Sequence, residues 1–256
     1  MVFYKSEEEI SLIRESAQIL GKAHGIVAEN IKEGITTLHL DKLAEEFIRD
    51  SGGIPSFKGY NDFPYSLCIS VNETVVHGFP SNYLIKDGDI VSIDCGVKFQ
   101  EFHSDSAYTH AIGNVAEETL KLLEKTKESL FVGIERAVVG NRMGDIASSI
   151  QQHVEKEGYT VVRELVGHGI GRSLHEAPEV PNYGKRGQGL KLQAGLVLAI
   201  EPMVNLGSRN IVQENDGWTI RTRDRKPSAH FEHTVVVRKE QAEILTTWEY
   251  IEKALK

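Results

Sequence analysis

The sequence predicts an α+β protein in which one order of elements, helix, helix and then strands, occurs twice. Helical periodicity precedes strand-like segments in the first half of the chain and does so again in the second half. Corresponding residues of the two halves are also separated by a similar distance along the chain: the helix-breaking Gly34 recurs as Gly140, 106 positions later. We therefore expect one catalytic domain over residues 1–256, made of pseudo-repeats at about 6–113 and 115–238.

Composition limits the class of protein. The chain has 256 residues, of which 40% are hydrophobic and 26% charged, as in soluble globular proteins. With 29 basic and 37 acidic residues the net charge is −8, so bulk charge will not attract nucleic acid or anionic lipid. No apolar run reaches the roughly 18 residues of a membrane span, and the N-terminus lacks the apolar region of a signal peptide. Cys68 and Cys95 lie in strand-like stretches and form no disulfide framework. We expect a cytoplasmic protein.

The first half begins with two helices. The segment from Ser6 to Glu9 is a capping box, and apolar residues recur behind it at helical spacing. A second helix is predicted from about Thr37 to Asp50, ended by two glycines. A loop at 54–66 follows, and strand-like segments then continue to about residue 112.

The second half repeats this order. Helical patterns are predicted at 115–138 and from about Asp145 to Glu157. Strand-like segments follow, and a short helix closes the chain; these segments lie at 159–166, 196–204, 211–222 and 231–238.

Two acidic residues occupy matching positions in the repeat. The string Gly88-Asp-Ile-Val-Ser-Ile-Asp94 recurs as Gly195-Leu-Val-Leu-Ala-Ile-Glu201, in each case a glycine turn, a mostly apolar strand and an acid. An acid in a buried strand is disfavoured unless something pairs with it. A single such acid is usually a strand end that reaches water. Two at matching positions are better explained as facing one another across a shared interior.

Each of these acids is followed by a second acid in a strand-like segment. Asp105 lies eleven positions after Asp94, and Glu232 lies 31 after Glu201. Four converging carboxylates would repel one another or take up protons unless cations neutralise them. Two divalent cations would balance the four charges, whereas one would leave an excess of −2. This arithmetic favours a dinuclear site, with metals about 3.5–4 Å apart.

A nitrogen ligand is available at His168, which lies among three glycines in Val166-Gly-His-Gly-Ile-Gly-Arg172. Glycine lets other backbone approach such a histidine closely. The segment has neither the Gly-Lys-Ser/Thr of a P-loop nor the spacing of a dinucleotide fingerprint. His175 follows in Ser173-Leu-His-Glu176. The chain contains no His-Glu-x-x-His and no Gly-x-Ser-x-Gly, which excludes a zincin and a serine hydrolase of that type.

Taken together, these motifs resemble the methionine aminopeptidases of the short bacterial type I class, over essentially the whole chain. The resemblance implies the pita-bread fold, with two pseudo-symmetric halves, a curved antiparallel sheet, outer helices and metals between the halves. The motifs are Asn72-Glu-Thr-Val-Val-His77-Gly-Phe-Pro, Gly88 to Asp94, Gly167-His168-Gly-Ile-Gly-Arg, His175-Glu, Ile200-Glu201-Pro, Asp216-Gly-Trp218 and Phe231-Glu232-His-Thr.

The resemblance also implies a set of ligands and catalytic groups. Two divalent ions (cobalt, manganese, iron or zinc) would be bound, with Glu201 also relaying a proton to the leaving amine. His175 would bind the scissile carbonyl, and His77 would bind substrate near the scissile nitrogen. The implied ligands are Asp94, Asp105, His168, Glu201 and Glu232.

A pocket for the methionine side chain is implied as well. From sequence alone, His77 could equally be a turn residue, and Trp218 and Cys68 ordinary core residues. A polarizable, unbranched thioether suits an aromatic-lined pocket. The implied lining consists of Tyr60, Phe63, Cys68, Leu174 and Trp218.

The chain departs from the family pattern at three positions without losing a ligand. His230 stands where the family usually has Gln, Ser104 where Gly or Ala is common, and Leu174 where an aromatic is frequent. We expect His230 to alter the hydrogen bonding around Glu232, and Leu174 to reshape the pocket.

The expected function is metal-dependent removal of the initiator methionine from nascent proteins and peptides whose second residue is small. The alternatives are another pita-bread peptidase, such as a proline dipeptidase, or a family member that binds without catalysis. The expected partners are N-termini of nascent polypeptides, with no membrane and no sequence-specific nucleic acid, and we expect a monomer. One basic cluster, residues 221–226, is either a solvated hairpin loop or a contact with ribosomal RNA near the exit tunnel.

Overall fold

Five helices form the outer layer of the molecule, which a computed structural model describes over residues 1–256. Four of them occur as two pairs that precede strands, as the sequence predicts. They are α1 (Glu7–Asn30), α2 (Thr37–Asp50), α3 (Glu117–Ile134), α4 (Met143–Lys156) and α5 (Glu249–Ala254). No helix is both long enough and apolar enough to cross a membrane.

Fifteen mostly short strands complete the fold. They are β1 (Ile54–Pro55), β2 (Leu67–Val71), β3 (Thr74–Val76), β4 (Ile90–Phe99), β5 (Phe102–Ala111), β6 (Thr160–Val161), β7 (Gly167–Gly169), β8 (Glu176–Val180), β9 (Val197–Ile200), β10 (Met203–Asn205), β11 (Ile211–Gln213), β12 (Ile220–Thr222), β13 (Ser228–His230), β14 (Glu232–Val236) and β15 (Glu243–Ile244).

Local capping explains where the first two helices begin. The Ser6 side chain accepts a hydrogen bond from the Glu9 N–H, and the Glu9 carboxylate accepts one from the Ser6 N–H, so the predicted capping box is present. Thr36 caps α2 by accepting from the His39 N–H. Gly52, with φ of +79°, follows the end of α2 in a conformation that glycine adopts without strain.

The central sheet is antiparallel throughout and has nine strands. Its main path runs in the order β1-β4-β5-β14-β9-β7-β8, and β2 and β15 pair with β4 and β14 respectively. The β4–β5 ribbon is its longest pairing, with ten residues in register. Two three-stranded sheets flank it, in the orders β13-β10-β6 and β11-β12-β3.

The core lies between this sheet and the helices. Apolar residues of α1 and α2 pack with those of β2 and β4 in one cluster, and those of α3 and α4 pack with β9 and β14 in another. Burial of this apolar area, at roughly 25 cal/mol per Å², is the main term that stabilises the fold. It also makes the sheet a rigid platform for side chains on its opposite face.

Some second-half strands differ from the prediction. The segment predicted at 159–166 forms only the two-residue β6, and the segment at 211–222 is broken into β11 and β12 by a turn that contains Gly217. Strand β8 has no apolar run in its sequence and was not predicted. These short strands are set by pairing with distant neighbours rather than by their own residues, because strand propensity depends strongly on context.

Candidate metal centre and substrate cavity

Five neighbouring strands each bring one of the predicted metal ligands to the same face of the central sheet. Across the sheet, β4 carries Asp94, β5 carries Asp105, β14 carries Glu232, the residue after β9 is Glu201, and β7 carries His168. Residues of a strand alternate between faces, so a ligand on each strand can share one face only if the register permits it.

The register meets this requirement. Ala107 of β5 lies opposite Asp94 on one side and opposite Glu232 on the other. Asp105 lies two residues from Ala107 and therefore projects to the same face. His233 pairs with Ile200, which sets Glu232 beside Glu201 at the next position. The small Ala107 side chain thus leaves room for carboxylates above it.

His168 approaches this carboxylate cluster through its Nε2 atom. That atom lies 3.9 Å from Oδ2 of Asp105 and 3.7 Å from Oε1 of Glu201. Candidate ligand atoms of Asp105, His168 and Glu232 all lie within 4.8 Å of one another. On the other side of the ring, Nδ1 lies 2.9 Å from the carbonyl oxygen of Gly169, which accepts its hydrogen and leaves the Nε2 lone pair directed at the carboxylates.

The glycines beside His168 are required by close backbone contacts. A Cβ at Gly167 would lie 2.3 Å from the carbonyl oxygen of Ala199, and one at Gly169 would lie 2.5 Å from that of Ala177. Either side chain would push β7 away from its partner strands. The Gly-His-Gly sequence therefore reflects how tightly β7 is held in the sheet.

All four carboxylates have raised pKa values. Burial raises the pKa of Asp94 to about 7 and that of Glu201 to about 8. Burial, reinforced by neighbouring acids, also raises the pKa of Asp105 and of Glu232 well above the usual range. Without cations Asp105, Glu201 and Glu232 would therefore hold protons at neutral pH.

The donor set fits divalent cations. Oδ1 of Asp94 and Oε1 of Glu232 are buried and accept no hydrogen bond from the protein. Burial lowers the pKa of His168 to about 3, so its imidazole is neutral and able to act as a ligand. Four carboxylates and one imidazole are a donor set suited to manganese, iron, cobalt or zinc.

A cavity of about 230 Å³ opens directly from this cluster. Its far wall is apolar and aromatic: the ring centroids of Phe63 and Trp218 are 5.1 Å apart, and those of Trp218 and His77 are 5.9 Å apart. The structure brings all twelve predicted site residues to this one cavity. They are Tyr60, Phe63, Cys68, His77, Asp94, Asp105, His168, Leu174, His175, Glu201, Trp218 and Glu232.

Two further histidines lie between the carboxylate cluster and the apolar wall. His175 is at the exposed rim, where Nδ1 lies 2.7 Å from the Tyr60 hydroxyl and its ring centroid is 4.2 Å from that of His168. His77 is half-buried and has a positive φ of 58°. Desolvation lowers the pKa of both, to about 4 for His77, so both rings are neutral at pH 7.

The chain matches known proteins over nearly its full length. Residues 11–239 match the model of metallopeptidase family M24. A methionine aminopeptidase of Clostridium perfringens is 56% identical over 96% of this chain and 99% of its own, and methionine aminopeptidase 1 of Bacillus subtilis is 48% identical with the same coverage. The chain belongs to the methionine aminopeptidases of family M24. The resemblance inferred from the sequence motifs is thereby confirmed.

Solved structures of this family share the fold. A methionine aminopeptidase from Thermotoga maritima superposes with a TM-score of 0.95 at 41% identity, over 96% of this chain and 100% of that one. The expected α+β pita-bread fold is confirmed. The prolidase of Pyrococcus horikoshii, in contrast, is 25% identical with a TM-score of 0.79, and this chain spans 64% of its length. A methionine aminopeptidase is therefore favoured over a proline dipeptidase.

Sequence reasoning missed part of the lining of this methionine aminopeptidase cavity. These residues come from the loop before β2, from β3, from the segment before β7 and from β10, none of which carries a chemically distinctive pattern. The turn Tyr60-Asn61-Asp62 is the one segment whose residue types give a signal, because Asn and Asp favour turns. The missed residues are Phe57, Asn61, Val76, Leu165, Val166 and Met203.

Proposed function

We propose that the chain removes the N-terminal methionine from polypeptides whose second residue is small. The observation that carries this proposal is the union of one small apolar cavity with a cluster of five ligand residues at its inner end. An exopeptidase needs both features: a pocket that accepts one side chain, and a polar site at the bond that follows it. Family membership supports the same activity, and the convergence of all five residues argues against a purely binding role.

Two divalent cations would be held by Asp94, Asp105, His168, Glu201 and Glu232, because four buried carboxylates balance two double charges. When bound, such ions supply hydroxide near neutral pH and stabilise negative charge on a carbonyl oxygen. The identity of the ion, cobalt, manganese, iron or zinc, depends on availability as much as on the donor set.

The remaining roles fall to side chains of this chain. Glu201 would take a proton at Oε2 or Oε1 and pass it towards the leaving amine. His175, oriented through Nδ1 by the Tyr60 hydroxyl, would direct Nε2 at the scissile carbonyl oxygen. His77 would contact the substrate near the scissile nitrogen.

The methionine side chain would occupy the apolar end of the cavity. Phe63 is packed edge-to-face on Trp218, and Leu174 is buried beside them. A thioether gains favourable sulfur–aromatic contacts there. Because ligands come from both predicted pseudo-repeats, the site requires the whole chain to act as one catalytic domain.

A peptide assay tests this proposal. Metal-stripped enzyme is titrated with each candidate ion and offered Met-Ala-Ser, Met-Lys-Ser and Ala-Pro peptides. We expect cleavage of Met-Ala-Ser alone, and only after an ion is added. Cleavage of Ala-Pro in preference to Met-Ala-Ser would instead indicate a proline dipeptidase, and no cleavage with any ion would indicate a binding protein.

We also propose that the chain acts as a cytoplasmic monomer on nascent chains, near the ribosomal exit tunnel. The basic cluster at 221–226 supports this only in part. Arg221 lies 3.1 Å from Glu73, and Arg225 lies 3.0 Å from Glu214, whereas Arg223 and Lys226 are exposed and form no ion pair. Replacing these two free cations by Gln should reduce co-sedimentation with ribosomes, and unchanged co-sedimentation would remove the ribosome from the proposal.

A further inference from the structure

We propose that His230 is a positioning residue that holds the Glu201 carboxylate in place by donating its Nε2–H to Oε2. The inference rests on the proposed function of Glu201 as a metal ligand and proton carrier. It also changes the expectation from sequence, which linked His230 to Glu232, its neighbour along the chain.

The Glu201 carboxylate lies between two buried imidazoles. Nε2 of His168 is 3.7 Å from its Oε1, and Nε2 of His230 is 3.4 Å from its Oε2. The His230 side chain is 2% exposed, and its buried Nε2 makes no hydrogen bond to any protein group, although the Glu201 carboxylate lies within ion-pair distance. A small rotation of the His230 ring or of the Glu201 carboxylate would align the two groups for this hydrogen bond.

The main chain around His230 is fixed on both sides. The Thr109 hydroxyl donates to the His230 carbonyl oxygen at 2.7 Å and accepts from the His230 N–H at 3.1 Å. In the flanking sheet, β13 pairs with β10 so that His230 lies opposite Met203, two residues after Glu201. The strand pairing therefore sets the separation of the imidazole from the carboxylate in advance, as a positioning residue requires.

His230 and His168 differ in what surrounds Nδ1. His168 has the Gly169 carbonyl oxygen at 2.9 Å to accept its Nδ1–H, the arrangement that frees Nε2 to bind a metal. The hydrogen bonds of His230 are made by its main chain, to Thr109. With no such acceptor, the ring is free to keep its proton on Nε2, which favours donation to Glu201 over metal ligation.

The test compares His230→Leu, which removes the donor, with His230→Gln, which restores one. His110→Leu is the matched control, because His110 is also a buried neutral histidine but faces the helices from β5. Manganese affinity of the stripped enzyme is measured by competition with a chelator, together with kcat and KM for Met-Ala-Ser. The electron spin-echo spectrum of the bound manganese counts coordinated imidazoles.

We expect His230→Leu to weaken manganese binding about 10- to 100-fold and to lower kcat with little change in KM. His230→Gln should recover most of both losses, and His110→Leu should change neither. The spectrum should show one imidazole coordinated to manganese in the unmodified chain and also in His230→Leu. If the Leu variant does not fold, His230→Asn, whose amide is too short to reach Glu201, provides the same comparison.

Three results would overturn the proposal. They are wild-type manganese affinity in the Leu variant, failure of Gln to recover the loss, and a second coordinated imidazole that disappears with His230. Failure of the proposed function is a separate outcome, because the unmodified chain would then bind no manganese or would not cleave Met-Ala-Ser.

Discussion

The two ends of the cavity are built in different ways. The five proposed metal ligands of the carboxylate end lie on, or directly after, five neighbouring strands of one sheet, whereas the apolar end takes its lining largely from loops and a short 3₁₀ turn at Tyr60–Asp62. Neighbouring strands lie about 4.8 Å apart, so the register brings side chains on adjacent strands of one face close together. Candidate ligand atoms of Asp105, His168 and Glu232 all lie within 4.8 Å of one another. Loops impose no such spacing.

Backbone conformation shows the same contrast. In the loops next to the apolar end, Asn61, Asp62 and His77 have positive φ values of 46°, 67° and 58°. None of the five proposed ligands has a positive φ. Non-glycine residues in this conformation are held there by their surroundings, at a cost of order 1–3 kcal/mol each. The loops around the apolar end are thus strained, and the strands that carry the proposed ligands are regular.

Removing a charge at the carboxylate end should have the largest effect. Glu201→Gln keeps the side-chain shape but removes the negative charge of a proposed metal ligand and proposed proton carrier, so we expect kcat for Met-Ala-Ser to fall roughly 10²- to 10⁴-fold. Glu179→Gln is the control, since Glu179 is an exposed acid opposite His168 on β8. Wild-type turnover in Glu201→Gln would refute the role of this carboxylate.

A residue at the rim between the two ends should show a smaller effect of a different kind. His175→Ala removes a group proposed to act on the transition state, so kcat should fall about 10²-fold while KM changes only a few-fold. Steady-state kinetics on Met-Ala-Ser separate the two constants. An effect confined to KM would place His175 in ground-state binding instead.

Changes at the apolar end should weaken binding rather than chemistry. Phe63→Leu loses the edge-to-face contacts with Trp218 and Phe79, so KM for Met-Ala-Ser should rise about 10-fold with kcat nearly unchanged. Phe131→Leu, on the outer helix α3, is the control. If Phe63→Leu lowered kcat as much as His175→Ala does, binding of the methionine side chain and the chemical step could not be assigned to different ends of the cavity.

The smallest effect concerns stability and its dependence on pH. In metal-free protein the pKa of Asp94 is raised to about 7 and that of Glu201 to about 8, above their values of 3.8 and 4.5 when unperturbed. Their contribution to the free energy of unfolding is therefore complete below about pH 4 and is lost as pH rises through 8. Bound cations stabilise the ionised forms and reverse this loss.

The Tm difference between metal-loaded and metal-free protein should therefore widen from pH 5.5 to 8.5. For a chain of this size each kcal/mol corresponds to about 2–4 °C. The buried histidines outside the site titrate in the same way in metal-loaded and metal-free protein, so their effects on Tm cancel when the two Tm values are subtracted. A Tm difference that stays constant or narrows between pH 5.5 and 8.5 would contradict the claim that the carboxylates are protonated in the metal-free protein.

Sequence reasoning succeeded where a residue type conflicted with its surroundings. Asp94 and Glu201 were found because an acid at the end of an apolar strand requires a partner, and the repeat placed both at matching positions. Phe57 and Met203, in contrast, are ordinary apolar residues whose part in the cavity depends on long-range packing. The contact of His230 with Glu201 likewise follows from the pairing of β13 with β10, which the sequence does not specify.

The central claim is that the carboxylate end of the cavity holds two divalent ions that are needed for removal of methionine. It is tested most directly by titrating metal-stripped chain with manganese while measuring both bound ions and cleavage of Met-Ala-Ser. The account predicts no cleavage before manganese is added and saturation at two ions per chain. Full activity without metal, or saturation at a single ion per chain, would contradict it.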